Sequence, residues 1–188
     1  MARNLAPGLL VATAVVVAGA ACASTPASGG STVVSDPSAI VTSDARGRQI
    51  TISHDGTVAD SVPTTADSAF QALVRAYGEL GIGTPLLDLR GRRVGDPRMT
   101  ASRTFKGSPL SRFLSCGEGI TGPRANNDRI MFSVVSESKP RPGGGALLET
   151  RVTAVAVDTG GRGGQAQCTT TGELEELIHQ AARTALSR

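Results

Sequence analysis

The chain changes hydrophobic period several times after Arg46, and each change marks an expected element. Phe70, Leu73, Val74, Tyr77 and Leu80 recur at helical spacing, so Thr65–Leu80 is expected to be an amphipathic helix, with Gly81 where a C-terminal cap belongs. Before it, Arg48–Ser53 alternates like a strand and His54-Asp55-Gly56 has turn chemistry. After it, Thr84–Leu89 and Met99–Phe105 are expected strands, separated by a turn at Arg90-Gly91. Ser108-Pro109-Leu110 has the composition of a helix start, with Leu110, Phe113 and Leu114 as the apolar side of a short helix ending at Gly117.

Two β-branched runs, Arg129–Ser136 and Leu147–Val157, are expected to form a long hairpin through the Pro/Gly stretch at 140–145. A loose turn at Gly160–Gly164 precedes a strand ending near Cys168. The last helix is expected from Thr170-Thr171-Gly172-Glu173, where Thr170 and Glu173 match a capping box. Its buried stripe is then Leu174, Leu177, Ile178, Ala181 and Ala185. Strands following strands without helices between them predict an antiparallel sheet with helices packed on one face, an α+β fold.

The first 45 residues follow other rules. Arg3, an uncharged Leu9–Ala21 run and the small residues Ala18-Gly19-Ala20-Ala21 give residues 1–21 the three parts of a signal peptide. The apolar run falls short of the roughly 20 residues a membrane span needs. Ala18-Gly19-Ala20 suits ordinary cleavage, whereas Gly19-Ala20-Ala21-Cys22 resembles the lipobox of bacterial lipoproteins, with Gly19 in place of the usual Leu, Val or Ile. Residues 22–45, rich in Ser, Thr, Ala, Pro and Gly, offer too little apolar surface to offset their ordering entropy and are expected to be a disordered tether. A strand around Val33–Val34 or Ala39–Thr42 that docks on the domain is the alternative. Residues 46–188 form the single expected domain.

Cysteine count bears on both ends of the chain. The chain has three, Cys22, Cys116 and Cys168. An odd number in an exported protein needs an explanation. Acylation of Cys22 leaves a pair, and an oxidising compartment joins Cys116 to Cys168. Such a bridge closes a loop worth about 4 kcal/mol in the chain-entropy model. These features predict an exported protein anchored to a membrane of the cell envelope by a lipid.

The candidate chemistry is sparse. Cys116 as a nucleophile would sit at a helix C-terminus, where the dipole disfavours a thiolate. His54 and His179 have no metal-ligand spacing and are expected on a solvated turn and a solvated helix face. The glycine stretches lack the Lys-Ser/Thr of a phosphate loop. No cofactor or metal is expected. Net charge is +3, or +2 without residues 1–21, whose one charge is Arg3, too little to imply nucleic acid. Charge is concentrated, however, between positions 90 and 112. There Arg90, Arg92, Arg93, Arg98, Arg103, Lys106 and Arg112 face one acid, Asp96, for a local +6. Such a cluster serves either an anionic envelope surface or polymer, or a solvated face balanced elsewhere.

Phe70, Leu73, Tyr77-Gly78-Glu79-Leu80-Gly81-Ile82 and the following segment with Asp88 resemble the helix-grip modules of outer-membrane assembly lipoproteins of the BamC type. Leu114-Ser115-Cys116-Gly117 and Cys168-Thr169-Thr170-Thr171-Gly172-Glu173-Leu174-Glu175 are similar to marks of an uncharacterised lipoprotein family. That resemblance implies an envelope accessory that binds partner proteins and catalyses nothing. An extracytoplasmic hydrolase or thiol enzyme is the alternative, and the state of Cys116 separates the two.

Overall fold

The structure, a computed structural model, describes residues 39–43, 49–53, 56–158, 160 and 164–188. Cys22, His54 and residues 161–163 lie outside the described residues, as do the expected signal peptide and all of the expected tether before Ala39. The chain runs β1 (Ala39–Ser43), β2 (Gln49–Ser53), β3 (Thr57–Val62), α1 (Ala66–Glu79), β4 (Leu86–Asp88) and β5 (Arg93–Ser102). Short pieces follow: β6 (Thr104–Phe105), β7 (Ser108–Pro109), a 3-10 turn at Leu110–Arg112, β8 (Leu114–Ser115), β9 (Glu118–Gly119), β10 (Gly122–Pro123) and α2 (Arg124–Asn127). The long hairpin β11 (Arg129–Pro140) and β12 (Ala146–Val157), then β13 (Gln165–Thr170) and α3 (Glu173–Leu186), complete the domain.

The main sheet is antiparallel in the order β1-β2-β3-β12-β11-β5-β4. β12 is long enough to take two neighbours along one edge. Its first half pairs with β3 (Leu148↔Asp60) and its second with β13 (Ala154↔Cys168). The fold is thus α+β, with the antiparallel sheet expected from the strand-rich order.

Strand alternation decides which face is covered. Along β11, Ile130, Phe132, Val134, Ser136 and Ser138 are buried, while Met131, Ser133, Val135, Glu137 and Lys139 are half-buried or exposed. The buried set faces α1 and α3, which contribute Phe70, Leu73, Ala76 and Tyr77 from one helix and Leu174, Ile178, Ala182 and Ala185 from the other. Thr65 caps α1 as its side chain accepts the Ser68 amide hydrogen at 3.2 Å. The β11–β5 ladder shifts register between Phe132 and Val134, where the two strands come close. Gly95 makes that approach possible, because a Cβ there would collide with the Val134 carbonyl oxygen.

Four local expectations change. Ala39–Ser43 is a strand paired with β2 (Val41↔Thr51), so the expected tether gives way to sheet by Ala39; Ile40-Val41 supply a short β-branched run there. Thr57–Val62, not expected as an element, is the third strand of the sheet. The expected short helix after Ser108 is a 3-10 turn between two-residue strands, and no side chain caps it. Glu173 does not complete a capping box: Gly172, at φ 85°, is the N-cap, Thr170 ends β13, and Glu173 pairs with Arg112 at 2.5 Å.

Candidate functional site

Cys116 and Cys168 are joined by a disulfide with Cα atoms 4.1 Å apart. The bridge crosses two paired strands (Thr169↔Ser115), so it fastens the insert between β5 and β11 to the sheet. No free thiolate exists at Cys116 in this state.

His179 departs most from expectation. It is wholly buried on α3, not solvated, because the helix turns a slightly different stripe inward: Leu174, Glu175, Ile178, His179, Ala182 and Ala185. A chain of hydrogen bonds runs from Tyr77 Oη to Ser136 Oγ (2.9 Å), to Thr150 Oγ1 (2.6 Å) and to His179 Nε2 (2.9 Å). Burial pushes the His179 imidazole down to about 3, with nearby Arg183 adding to the effect. Burial pushes the Glu175 carboxyl up to about 7 against the hydrogen bond it accepts from Thr170. Burial likewise raises the Tyr77 hydroxyl.

Glu175 Oε1 and His179 Nδ1 have no hydrogen-bond partner among the described residues and lie one helical turn apart in sequence. A hydroxyl–imidazole chain of this kind has the parts of a nucleophile relay, but Tyr77, Ser136, Thr150 and His179 are each 0% exposed. A substrate has no access to it. Its role is to satisfy polar groups inside the helix–sheet interface.

The other face of the sheet has a different character. Among the described residues no helix packs on it. Two shallow hollows of about 380 and 450 Å³ lie there and share Pro97, Ser133 and Thr153 as lining, so they form one trough across β5, β11 and β12. One end is charged, with Arg93, Glu137, Lys139, Glu149 and Arg151. The other is lined by Arg98, Met99, Met131, Val155 and Gln167. Lys139 Nζ lies 2.5 Å from Glu149 Oε2 and 3.7 Å from Glu137 Oε2, and the Glu149 carboxylate holds that amine above its usual range. Arg151 Nε donates to Thr57 Oγ1 at 3.0 Å. No protein-family model matches the chain, and no curated protein is significantly similar to it.

The basic stretch between positions 90 and 112 is divided by the fold. Arg92 pairs with Asp67 at 2.6 Å. Arg112 pairs with Glu173 and stacks over Phe113, 5.9 Å from the ring centroid. Arg90 lies in the turn after β4, whose amide donates to Asp88 Oδ1 at 3.0 Å. Arg103 (φ 65°) and Lys106 (φ 52°) occupy left-handed turn positions beyond β5. Only Arg93 and Arg98 line the trough. Sequence reasoning missed Arg129 and Arg151, which register places on the same open face through Arg129↔Val157 and Val135↔Arg151. Period-two alternation in β11 was the available signal, obscured by Ser136 and Ser138 on the buried side.

Among the described residues no group of three or more His, Cys, Asp or Glu is placed to hold a metal ion, and no helix is long and apolar enough to cross a membrane.

Proposed function

We propose that this protein is a non-enzymatic binding or assembly module of the bacterial cell envelope, anchored through an acyl group on Cys22, which engages a partner with the open face of its sheet. The observation that carries the binding role is the asymmetry of the sheet. One face is sealed by α1 and α3, while the other keeps a continuous trough with charged, hydroxyl and apolar groups in reach of solvent. Oxidation of Cys116 supports the non-enzymatic reading, since it occupies the one obvious nucleophile. The lipobox-like run and the odd cysteine count support the anchor.

The test uses intact envelopes. A photo-crosslinking residue at Thr153, exposed in the trough, is expected to give a discrete adduct, and one at Gln71, exposed on α1, is not. Equal labelling at both positions, or none at Thr153, overturns the binding role. Intact mass of membrane-extracted protein tests the anchor separately. A mature chain that starts at Ala21 or lacks diacylglycerol mass overturns it.

A further inference from the structure

We infer that the trough takes an extended acidic peptide segment of a partner protein, with carboxylates seated on Arg93 and Arg98 and apolar side chains between them. This rests on the open face being the binding surface and names the chemistry of the partner.

Charge supplies the first argument. Arg93 and Arg98 are exposed, each lines one of the joined hollows, and neither has an acidic partner within ion-pair distance among the described residues. Arg129 is exposed on the same face, also without such a partner. The carboxylates of this face are already engaged. Glu149 and Glu137 share Lys139, and Asp88 Oδ1 accepts the Arg90 and Gly91 amide hydrogens at 3.0 Å each. Glu137 stands opposite Arg93 in register, yet its near cation is Lys139 at 3.7 Å. The guanidiniums therefore present planar donor forks that match a carboxylate bidentately.

The floor supplies the second argument. Val135, Met131 and Val155 lie along the same trough. A uniformly polar polyanion leaves these side chains without an apolar partner, whereas a peptide with apolar residues between its acids covers them. A bilayer surface fits poorly, because it is flat and, among the described residues, Met131 is the one large exposed apolar side chain on this face. Strand addition at the edge of β5 is blocked where it matters: Pro97 has no N–H, and the Arg98 amide donates to Asp96 Oδ1 at 2.9 Å. The segment consequently lies across the face and is held by side chains.

The test is fluorescence anisotropy with the detergent-solubilised mature protein. Three labelled peptides of equal length carry apolar residues at alternate positions, with Glu, Gln or Lys between them. The Glu peptide is expected to bind best, and its affinity to fall as added salt shortens the Debye length below about 8–10 Å. Arg93→Glu/Arg98→Glu is expected to weaken it at least about tenfold, a loss of about 1.4 kcal/mol. The same variant should now prefer the Lys peptide. Arg103→Glu, whose side chain lines neither hollow, should change nothing.

Equal binding of the three peptides, an equal loss with Arg103→Glu, or no preference for Lys in the double variant overturns the inference. So does arginine-dependent binding of phosphatidylglycerol vesicles in place of the Glu peptide. Crosslinking from Thr153 in intact envelopes separates the two levels. An adduct there without Glu preference in solution leaves the binding face standing and removes the acidic-peptide assignment; no adduct removes the binding face itself.

Discussion

Adjacent residues of one hairpin live in opposite environments. In β12, Leu148, Thr150 and Val152 point to the helices, while Leu147, Glu149, Arg151 and Thr153 point to the open side. On the helix side the buried hydroxyls all have partners: Thr150 joins Ser136 and His179, and Ser138 Oγ donates to the Ala66 carbonyl at 2.9 Å. On the open side water can serve that purpose, so Arg93, Arg98 and Arg129 stand without acidic partners among the described residues. Stability and recognition are thereby divided between the two faces of a single sheet.

The most direct way to break this division is a pair of neighbouring truncations. Leu148→Ala removes a wholly buried side chain, and a destabilisation of about 2–5 kcal/mol is expected from lost transfer energy and the cavity left behind. Leu147→Ala, half-buried on the open face, should cost no more than about 1 kcal/mol. Urea titrations of both variants measure this as midpoint shifts at constant slope. Equal costs would mean that the open face is covered in the native protein.

Acid–base linkage sharpens the same contrast, because the perturbed groups belong to the covered side. Glu175 is raised from 4.5 to about 7, so the folded state holds its proton where the unfolded state releases it. Its contribution is full below pH 4.5 and is lost as pH rises toward 7. His179 is lowered from 6.5 to about 3, so its contribution is full above pH 6.5 and is lost as pH falls toward 3. Between pH 4.5 and 6.5 the two slopes oppose each other, and wild-type stability should be nearly flat there. Glu175→Gln removes one slope. Its stability relative to wild type is expected to grow by about 3 kcal/mol between pH 4 and pH 8. A pH-independent difference would place Glu175 in contact with water.

A third comparison uses two threonines of β12. Thr150→Val keeps the shape but removes the hydroxyl between Ser136 and His179, at an expected cost of about 1–3 kcal/mol for the polar groups left unsatisfied. Thr153→Val, three positions on and exposed, should stay within about 0.5 kcal/mol. Chemical denaturation decides it, and equal effects would show that the buried chain of hydroxyls carries no special weight.

The elements that local pattern foretold are those stabilised locally. The α1 stripe from Phe70 to Tyr77 and the β11–β12 hairpin follow their periods, while the bridge, though it joins positions 52 apart, was anticipated by cysteine count alone. What escaped the pattern depends on distant partners. Ser136 is hydrogen-bonded to a tyrosine 59 positions away, and His179 to a threonine 29 positions away, so neither burial could be inferred from neighbours. The basic stretch is divided for the opposite reason. Its members are close in sequence, but only Arg93 and Arg98 lie on β5, where both line the trough, and Asp67 and Glu173 pair with two others from the helices. The trough draws Arg93 and Arg98 from β5, Ser133 from β11 and Thr153 from β12, a set that exists only once register is fixed.

The smallest expected effect is also the finest test of the two-face picture, because it compares ion pairs. Asp60 and Arg183 form a pair toward the helices, with 7% and 23% of their side chains exposed, and Glu176 joins it at 2.6 Å from Arg183. Lys139 and Glu149 form theirs on the open face, at 44% and 26%. Screening by water weakens the second, so a double-mutant cycle of Lys139→Gln and Glu149→Gln should return a coupling of about 0.2–1 kcal/mol. That value should shrink as salt is raised from 0.05 to 1 M, roughly a change in Debye length from above 10 Å to about 3 Å. The Asp60→Asn and Arg183→Gln cycle should give a larger coupling that salt barely moves, since partial burial excludes ions from the pair. Equal and salt-sensitive couplings on both sides would mean that the helix-side pair is as hydrated as the open one, and the distinction between the faces would then rest on apolar packing alone.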